Sequence, residues 1–256
     1  MNRLMVKSVE ESIGATRRSF EDRFAEGAFY DRQTQDGAQL QALLDLLPLS
    51  PGMRVLDLGA GSGYVSFALA RQRPDVSVVG LDIVERTLEA NRQKAAARGM
   101  TNLSFVSYGG MAFPFGDGTF DAVVSRYALH HVPDLPQCLA EVRRVLTGAG
   151  ALLVSDPSPN ENDRDGFIDA YMRVKPDGHV AFYSADDWLR RCGAAGFCLE
   201  KSFQSSITFP RPMDSAYREL MARYGDAVTG GYRLRVVGNE IYVTERVNNM
   251  LFRKQQ

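Results

Sequence analysis

Apolar residues in this chain recur in short runs, and amphipathic segments with helical periodicity alternate with several of them. The runs typical of buried strands are residues 53–58, 76–81, 103–107, 120–125 and 150–155. The segments typical of helices are residues 63–72, 85–98 and 135–146. Strands that alternate with helices in this way form a parallel sheet wound by right-handed crossovers. The pattern therefore predicts an α/β fold with a doubly wound, mostly parallel sheet.

The residues in front of this core are predicted to be helical. Residues 1–50 have an amphipathic pattern, with charged residues among apolar ones. Asp36 is suited to cap a helix over residues 39–47, which Pro48 would terminate.

The pattern changes after residues 156–159. Residues 160–183 are polar, with a predicted helix over 165–174. We interpret them as an insertion that lies like a lid over the carboxyl ends of the strands, where ligands bind in open α/β sheets. The segments predicted after it are a helix over 184–195 capped by Ser184, strands at 197–200 and 203–209, a helix over 213–224, and a strand at either 240–245 or 247–253.

The whole chain is interpreted as one domain. Its predicted parts are a helical cap (1–50), a cofactor-binding core (51–156), the lid-like insertion (160–183) and a C-terminal completion (184–256). Residues 206–256 contain no recognisable motif, and three roles for them stay open. They could complete the sheet, cover an acceptor pocket or pair two subunits in a homodimer.

Charge and composition exclude several classes of partner. The 256 residues include 30 Lys and Arg against 31 Asp and Glu, so clustered cations for a nucleic-acid backbone are absent. No apolar stretch approaches the ~20 residues of a membrane span, and the amino terminus lacks a signal-peptide core. Three cysteines without C-x-x-C spacing and three scattered histidines give no metal-ligand set, and predict buried, reduced thiols. We expect a cytoplasmic protein with a small-molecule substrate, and neither a nucleic-acid nor a membrane partner.

A glycine-rich turn is the strongest chemical signal. The apolar run at 55–58 leads into Gly59-Ala60-Gly61-Ser62-Gly63, and the next strand ends on Asp82. Glycines let a ligand approach the backbone, and an acid at the end of the neighbouring strand can accept bonds from ribose hydroxyls. The spacing is G-x-G-x-G, and Tyr64 stands where dinucleotide sites have their third glycine. The turn therefore favours a nucleoside with a short tail over NAD. The alternative is a tight turn without a ligand.

With these residues the chain resembles the class I S-adenosylmethionine-dependent methyltransferases, in particular the ubiquinone and menaquinone biosynthesis branch. Residues 55–63 are similar to the first cofactor motif of that family, and Asp82 is similar to its ribose acid. Further similar segments are 113–132 (with Phe113-Pro114-Phe115 and Ala128-Leu129-His130-His131), 139–146, 178–180 and 188–197. The resemblance implies a Rossmann-like fold and S-adenosylmethionine as cofactor. It also implies S-adenosylhomocysteine as product and a small-molecule acceptor that is methylated by in-line displacement.

The chain departs from this family at the adenine site. Most relatives have Asp-Ala after the third strand, and this chain has Gly109-Gly110. Adenine recognition would then depend on backbone groups near Gly110 and Met111 and on contact with Ile83. A missing charge-assisted hydrogen bond is worth ~1.5–3 kcal/mol, so a reduced cofactor affinity is expected.

The other expected cofactor contacts each have a structural alternative. Asp57 would face the ammonium end of the cofactor, or else cap the amides of residues 59–63. Asp82 would bind the ribose, or else cap the helix at 85–98. Arg126 would approach the methionyl portion through its backbone carbonyl, with a solvated side chain as the alternative. Tyr30 would help close the pocket with its ring, or else pack among the N-terminal helices. The full predicted set is Tyr30, Asp57, Gly59, Ala60, Gly61, Tyr64, Asp82, Ile83, Gly110, Met111 and Arg126.

No residue is assigned as catalytic from the sequence. His130, His179 and Tyr30 are candidates, with a structural role favoured for the His130-His131 pair, and Asp156 and Tyr183 are comparable. Three other functions stay open: an S-adenosylmethionine-binding enzyme of this fold with a different reaction, a non-catalytic module, and a dehydrogenase, which Tyr64 disfavours.

Overall fold

The computed structural model describes residues 8–25, 35–175 and 177–255. The strands are β1 (Arg54–Leu58), β2 (Ser77–Asp82), β3 (Leu103–Ser107), β4 (Phe120–Arg126), β5 (Leu146–Ser158), β6 (Phe197–Pro212), β7 (Arg235–Val237) and β8 (Glu240–Lys254). The helices are α1 (Val9–Ala25), α2 (Gly37–Leu46), α3 (Tyr64–Gln72), α4 (Glu85–Ala97), α5 (Leu135–Val145), α6 (Phe167–Arg173), α7 (Ala185–Ala194), α8 (Ser215–Met221) and α9 (Asp226–Gly231), with a 3-10 turn at Leu129–His131.

The strands form one sheet in the order β3-β2-β1-β4-β5-β8-β6, and β7 pairs with β8. The five strands from β1 to β5 pair in parallel, whereas β8 runs antiparallel to β5 and β6. The chain continues from β1 to β2 on one side and returns to β4 on the other. Open α/β sheets bind ligands beside such a reversal of strand order. The predicted Rossmann-like, mostly parallel fold is confirmed.

Helices cover both faces of the sheet, so the central strands are buried on both sides, as parallel sheets require. Val55 of β1 packs in a cluster with Leu43 of α2 and Leu69 of α3. Its neighbour Leu56 packs in the opposite cluster with Leu139 of α5. Because successive strand side chains point to opposite faces, the continuous apolar run of β1 fills both cores.

A third apolar cluster joins the paired ends of β6 and β8 to α6 and α8. Phe209 and Val243 of the strands pack in it with Tyr171 of α6 and Tyr217 of α8. The Tyr171 and Tyr217 rings lie 4.8 Å apart. The C-terminal strands therefore complete the sheet and also supply one wall of this third core. Completion of the sheet was one of the three roles left open for residues 206–256.

Helix capping was predicted well at two places. The Asp36 carboxylate accepts hydrogen bonds from the N–H groups of Ala38 and Gln39, both at 3.0 Å, so α2 begins at Gly37. Ser184 caps α7 in a reciprocal arrangement with Asp187. The predicted helix at 165–174 is shorter, because the Asp163 carboxylate accepts from the N–H groups of Phe167 and Ile168 and fixes its start.

The C-terminal segmentation was wrong in several respects. The strands predicted at 197–200 and 203–209 form one strand, β6, because a bulge between Leu199 and Lys201 keeps the ladder with β8 continuous. The alternatives 240–245 and 247–253 both lie within β8. The helix predicted at 213–224 spans only Ser215–Met221, capped by Asp214, and neither α9 nor β7 was predicted.

The thiol prediction was wrong for one residue. Cys138 and Cys192 are buried, but Cys198 is exposed, since it lies on the solvent-facing side of β6. Among the residues that the structure describes, no helix is both long enough and apolar enough to cross a membrane. Within the same ranges, no group of three or more His, Cys, Asp or Glu side chains is arranged to hold a metal ion.

Candidate active site

A cavity of about 280 Å³ opens at the carboxyl ends of the parallel strands. Its wall includes the turn after β1, the ends of β2 and β4, and residues of α1, α6, β6 and β8. We call the part beside the glycine-rich turn the strand-end half, and the part lined by Pro157, Met172, Phe182, Ile207, Phe209, Arg211 and Glu245 the distal half. The volume is close to the lower limit of about 300 Å³ typical of small-molecule sites.

The glycines of the turn are required for two different reasons. Gly59, Gly61 and Gly63 all have positive φ, at 76°, 48° and 81°. A Cβ on Gly59 would lie 2.3 Å from the Ala128 Cβ, so close packing also requires glycine there. A Cβ on Gly61 would meet nothing within 4 Å, so only its backbone conformation requires glycine. Gly61 lines the cavity, and it leaves room for a ligand against the main chain.

Asp82 fixes the turn from the neighbouring strand. Its Oδ2 accepts from the Gly61 N–H at 2.8 Å, and its Oδ1 accepts from the Val84 N–H at 3.0 Å. Burial raises the pKa of Asp82, although these N–H donors oppose the shift. The alternative role as helix cap is wrong, because Val84 is the N-cap residue of α4. The Ile83 N–H is a third backbone donor to Asp82. A carboxylate has about four acceptor sites, so Asp82 retains acceptor capacity for a ligand hydroxyl.

Asp57 lies at the end of β1 with 2% of its surface exposed. Its Oδ2 accepts from the N–H of Ser66, at 3.0 Å, and from the Ser66 hydroxyl. It therefore caps the first turn of α3 and not the amides of residues 59–63. Burial raises the pKa of Asp57 to about 6, against the lowering effect of the two bonds from Ser66.

The adenine side of the predicted site is lined by Ile83, Tyr108 and Gly110. Gly110 has φ 95°, and a Cβ there would lie 2.8 Å from the Ile13 Cγ2. Met111 does not line the cavity, since its side chain points to solvent and is 38% exposed. The sequence predicted a contact through backbone groups near Met111, and that contact stays a prediction.

The first helix contributes residues that the sequence did not single out. Ile13, Thr16 and Phe20 of α1 line the cavity. The Arg17 Nε donates a hydrogen bond to the Ile83 carbonyl at 3.1 Å and holds α1 against the end of β2. Tyr30, predicted to close the same pocket, lies outside the described residues.

Arg126 is held in place and is not a freely solvated side chain. Its Nε donates to the Gln39 Oε1 at 3.0 Å, and its guanidinium lies 4.0 Å from the Tyr127 ring centroid and 5.0 Å from that of Tyr64. Tyr127 has φ 55°, a strained conformation for a residue with a side chain. Strain of this kind is concentrated at functional sites, and Arg126, Tyr127 and Tyr64 all line the cavity.

The histidine candidates differ in position. His130 lines the cavity, and its Nδ1 lies 2.7 Å from the Asp156 Oδ1. Burial lowers the pKa of His130 and raises that of Asp156, so both are favoured in their neutral forms. His131 also lines the cavity, with its ring edge-on to Phe20 at 5.3 Å.

His179 and Tyr183 are set back from the cavity wall. The His179 side chain is fully buried, and its Nε2 lies 2.7 Å from the Asp169 Oδ1. Tyr183 packs edge-on against Trp188 with the Arg191 guanidinium 4.4 Å from its ring centroid. Neither residue lines the cavity, so direct contact of either with a ligand is not supported by this geometry.

Sequence reasoning missed the two charged residues of the distal half, Arg211 and Glu245. A signal for Glu245 exists in the sequence: Ile241, Val243, Glu245 and Val247 alternate with polar or half-buried residues, which places the glutamate on an apolar strand face. The structure shows Glu245 fully buried, with Ile241, Val243 and Val247 likewise buried.

Comparison with known proteins gives a consistent family. The sequence model of a family described as a methyltransferase domain matches residues 49–181, about half of the chain. The ubiquinone/menaquinone biosynthesis C-methyltransferase UbiE of Dinoroseobacter shibae is 30% identical over 189 residues, which are 70% of this chain and 74% of that protein. This chain belongs to the class I S-adenosylmethionine-dependent methyltransferases.

Two further proteins are similar to this methyltransferase. The uncharacterized methyltransferase YcgJ of Bacillus subtilis is 30% identical over 154 residues, 60% of each chain, so the match spans less than two thirds of that protein. The structure of BH2331 from Bacillus halodurans C-125, described as a candidate methyltransferase, superposes with a TM-score of 0.75 at 26% identity. That superposition covers 86% of this chain and all of the other.

Proposed function

We propose that the protein transfers a methyl group from S-adenosylmethionine to a small-molecule acceptor by in-line displacement. The observation that supports this most is the continuity of the cavity. One space connects the glycine-rich turn and Asp82 with the buried distal half at Phe182 and Phe209. A cofactor beside the strand ends and an acceptor in the distal half would therefore meet without crossing solvent.

The strand-end half fits the cofactor in three respects. The bare backbone at Gly61 accommodates a tail, Asp82 has acceptor capacity for a ribose hydroxyl, and Ile83 with Tyr108 offers apolar surface to a base. Asp57 and Arg126 would lie at the amino-acid end. When bound, S-adenosylmethionine supplies an electrophilic methyl group on a sulfonium centre. The protein then has to align the acceptor and exclude water.

Aromatic residues in the cavity wall would help to exclude water. Phe20 of α1 and Phe182 both line the cavity, and their contacts with histidines hold both against the 3-10 turn at 129–131. The Phe20 ring lies 5.3 Å from the His131 ring, and the Phe182 ring lies 4.9 Å from the His130 ring. The backbone of His130 also accepts from the Val180 N–H at 2.8 Å, which holds the 160–183 segment on this turn.

His130 is the residue that we propose to accept a proton from the acceptor. The His130 Nδ1 lies 2.7 Å from the Asp156 Oδ1 and is hydrogen-bonded to it, so Nε2 is the ring nitrogen available to exchange a proton with a ligand. Burial lowers the pKa of His130, which keeps the imidazole in the neutral form that can accept a proton and also makes it a weaker base than a free histidine. Asp156 would position the ring through its contact with Nδ1.

The experiment is a label-transfer assay. The protein is incubated with S-adenosylmethionine carrying a trideuterated methyl group and a panel of small acceptors, and products are analysed by mass spectrometry. We expect equal amounts of S-adenosylhomocysteine and an acceptor heavier by one labelled methyl group. Cofactor binding without label transfer to any acceptor would contradict methyl transfer and favour a different reaction on the same fold.

A further inference from the structure

Glu245 is a buried carboxyl group without a hydrogen-bond partner among the residues that the structure describes. Its side chain has no exposed surface, and within those residues neither Oε1 nor Oε2 has a hydrogen-bond donor or acceptor. It nevertheless lines the cavity, in the distal half. An unsatisfied buried polar group destabilises a fold, and a charged one does so more, so such a group in a wall of a binding site indicates a ligand that satisfies it.

The surroundings of Glu245 are set by the β6–β8 ladder. Glu245 pairs with Ile207, Val243 with Phe209 and Ile241 with Arg211. Directly paired residues of antiparallel strands point to the same face, so Glu245 and Arg211 share a face that is otherwise apolar. The Arg211 guanidinium lies 4.4 Å from the Phe209 ring centroid.

We propose, on the basis of the function proposed above, that Glu245 is the acceptor-recognition residue, and that the acceptor is an uncharged, largely apolar molecule that donates a hydroxyl hydrogen bond to it. The carboxyl group supplies the acceptor atom, and Met172, Phe182 and Phe209 supply the apolar wall. One hydroxyl is enough to satisfy an oxygen that the protein leaves without a partner.

Charge favours a neutral hydroxyl over an ammonium group. Arg211 lies on the same strand face, so a cationic acceptor would meet a fixed positive charge while losing its hydration. The groups that act electrostatically on Glu245 are Arg211 on β6, Asp156 on β5 and Asp169 on α6. Burial raises the pKa of Glu245 to about 8, although Arg211 opposes the shift, so the carboxyl group is mostly protonated at neutral pH. A protonated carboxyl group can accept a hydroxyl bond at its carbonyl oxygen, whereas it cannot form an ion pair.

The test uses three probes of one shape on the protein saturated with S-adenosylhomocysteine. They are 4-propylphenol, 4-propylanisole, which lacks the donor, and 4-propylbenzylamine, which is cationic. Calorimetry should show that 4-propylphenol binds about tenfold or more tightly than either of the others, as expected for one hydrogen bond to a buried group. Binding of the amine or the anisole as tightly as the phenol would overturn the proposal.

Variants assign the preference to Glu245. In Glu245→Leu the phenol should lose its advantage over the anisole to within about twofold, and the melting temperature should stay equal or rise, since no partner is lost. Glu245→Met offers the same change with a more adaptable side chain. The control is Glu219→Gln on α8, an exposed glutamate, which should keep the wild-type preference. A preference that persists in Glu245→Leu, or failure of both apolar variants to fold, would overturn the proposal.

The two proposals can fail separately. If S-adenosylhomocysteine alone does not bind the wild-type protein, the proposed methyltransferase function fails. If it binds, but the phenol and the anisole then bind equally, only the role of Glu245 fails.

Discussion

The Asp82 carboxylate accepts a hydrogen bond from the Gly61 N–H at 2.8 Å, which ties the end of β2 to the turn that follows β1. The same turn is held from α4, because the Asn91 Nδ2 donates to the Gly61 carbonyl at 2.8 Å. Both polar groups of the Gly61 backbone are thus bound to neighbouring elements. The turn at residues 59–63 is therefore already held in its conformation before a ligand binds. Because little of the backbone has to be ordered on binding, the entropic cost of binding is small.

Gly109 gives a prediction about adenine recognition. A Cβ at Gly109 would meet nothing within 4 Å, and the residue does not have a positive φ. The substitution Gly109→Asp should therefore be tolerated, and it places a carboxylate on the adenine side of the proposed site. We expect the affinity for S-adenosylmethionine, measured by calorimetry, to stay equal or to increase by up to about tenfold.

Gly110→Ala is the matched comparison at the next position. Gly110 has φ 95°, and a Cβ there would lie 2.8 Å from the Ile13 Cγ2, so this change should displace α1 and weaken cofactor binding. A marked loss of affinity in Gly109→Asp, with Gly110→Ala unaffected, would show that the base lies elsewhere.

Asp57 predicts a pH effect on stability. Its pKa rises from an ordinary 3.8 to about 6 in the folded protein because of burial. The stability contributed by protonated Asp57 is therefore fully present below pH 4 and is lost as the pH rises through about 6. In urea unfolding, the free energy of unfolding of Asp57→Asn should increase relative to that of the wild type between pH 4 and 7. The increase should reach roughly 3 kcal/mol, because a difference of one pKa unit corresponds to ~1.36 kcal/mol.

Ser66 supplies the companion variant for that measurement. Its hydroxyl and N–H both bind Asp57 and lower the pKa of that residue. Ser66→Ala removes the hydroxyl donor, so the loss of stability should extend to higher pH than in the wild type. Wild-type and Asp57→Asn stability curves that run parallel with pH would contradict the account of Asp57.

If His130 accepts the proton, its substitution should lower the rate of methyl transfer without weakening cofactor binding. With a hydroxyl acceptor that is turned over, His130→Ala should lower kcat by about 10²–10⁴ and leave the Kd of S-adenosylhomocysteine unchanged. Asp156→Asn should act in the same direction with a smaller loss, since Asp156 positions the ring. Because burial lowers the pKa of His130, protonation of His130 itself should cause no loss of kcat as the pH falls from 8 to 6. The control variant is His131→Ala, in which kcat should fall by less than about tenfold. Equal losses of kcat in His130→Ala and His131→Ala would contradict the assignment of His130.

The parallel core was predictable because its signals are local. Each of β1 to β4 is a short apolar run, and glycines at positive φ such as Gly59 and Gly99 mark where the chain turns. The capping residues Asp36 and Ser184 are also local signals, since each bonds to backbone groups within three residues. These elements were predicted to within a few residues.

Long-range pairing explains most of what the sequence did not reveal. The exposed residues Lys201 and Ser202 interrupt the apolar pattern of β6, yet they stay in the strand because β8 pairs with them across about fifty residues. Asp57 was placed correctly at the end of β1, but its partner Ser66 was not foreseen. Glu245 reaches the cavity only because the C-terminal strands extend beyond the parallel core, which no motif indicates.

Calorimetric titration of S-adenosylmethionine into wild-type protein and Asp82→Ala tests the central claim most directly. The variant removes both the acceptor for Gly61 and the proposed ribose ligand. Asp45→Ala, on the exposed side of α2, is the control. We predict one cofactor per wild-type chain, the same for the control, and an affinity weaker by about tenfold or more for Asp82→Ala. No binding to the wild type, or equal affinity of Asp82→Ala, would contradict the placement of the cofactor at the ends of β1 and β2.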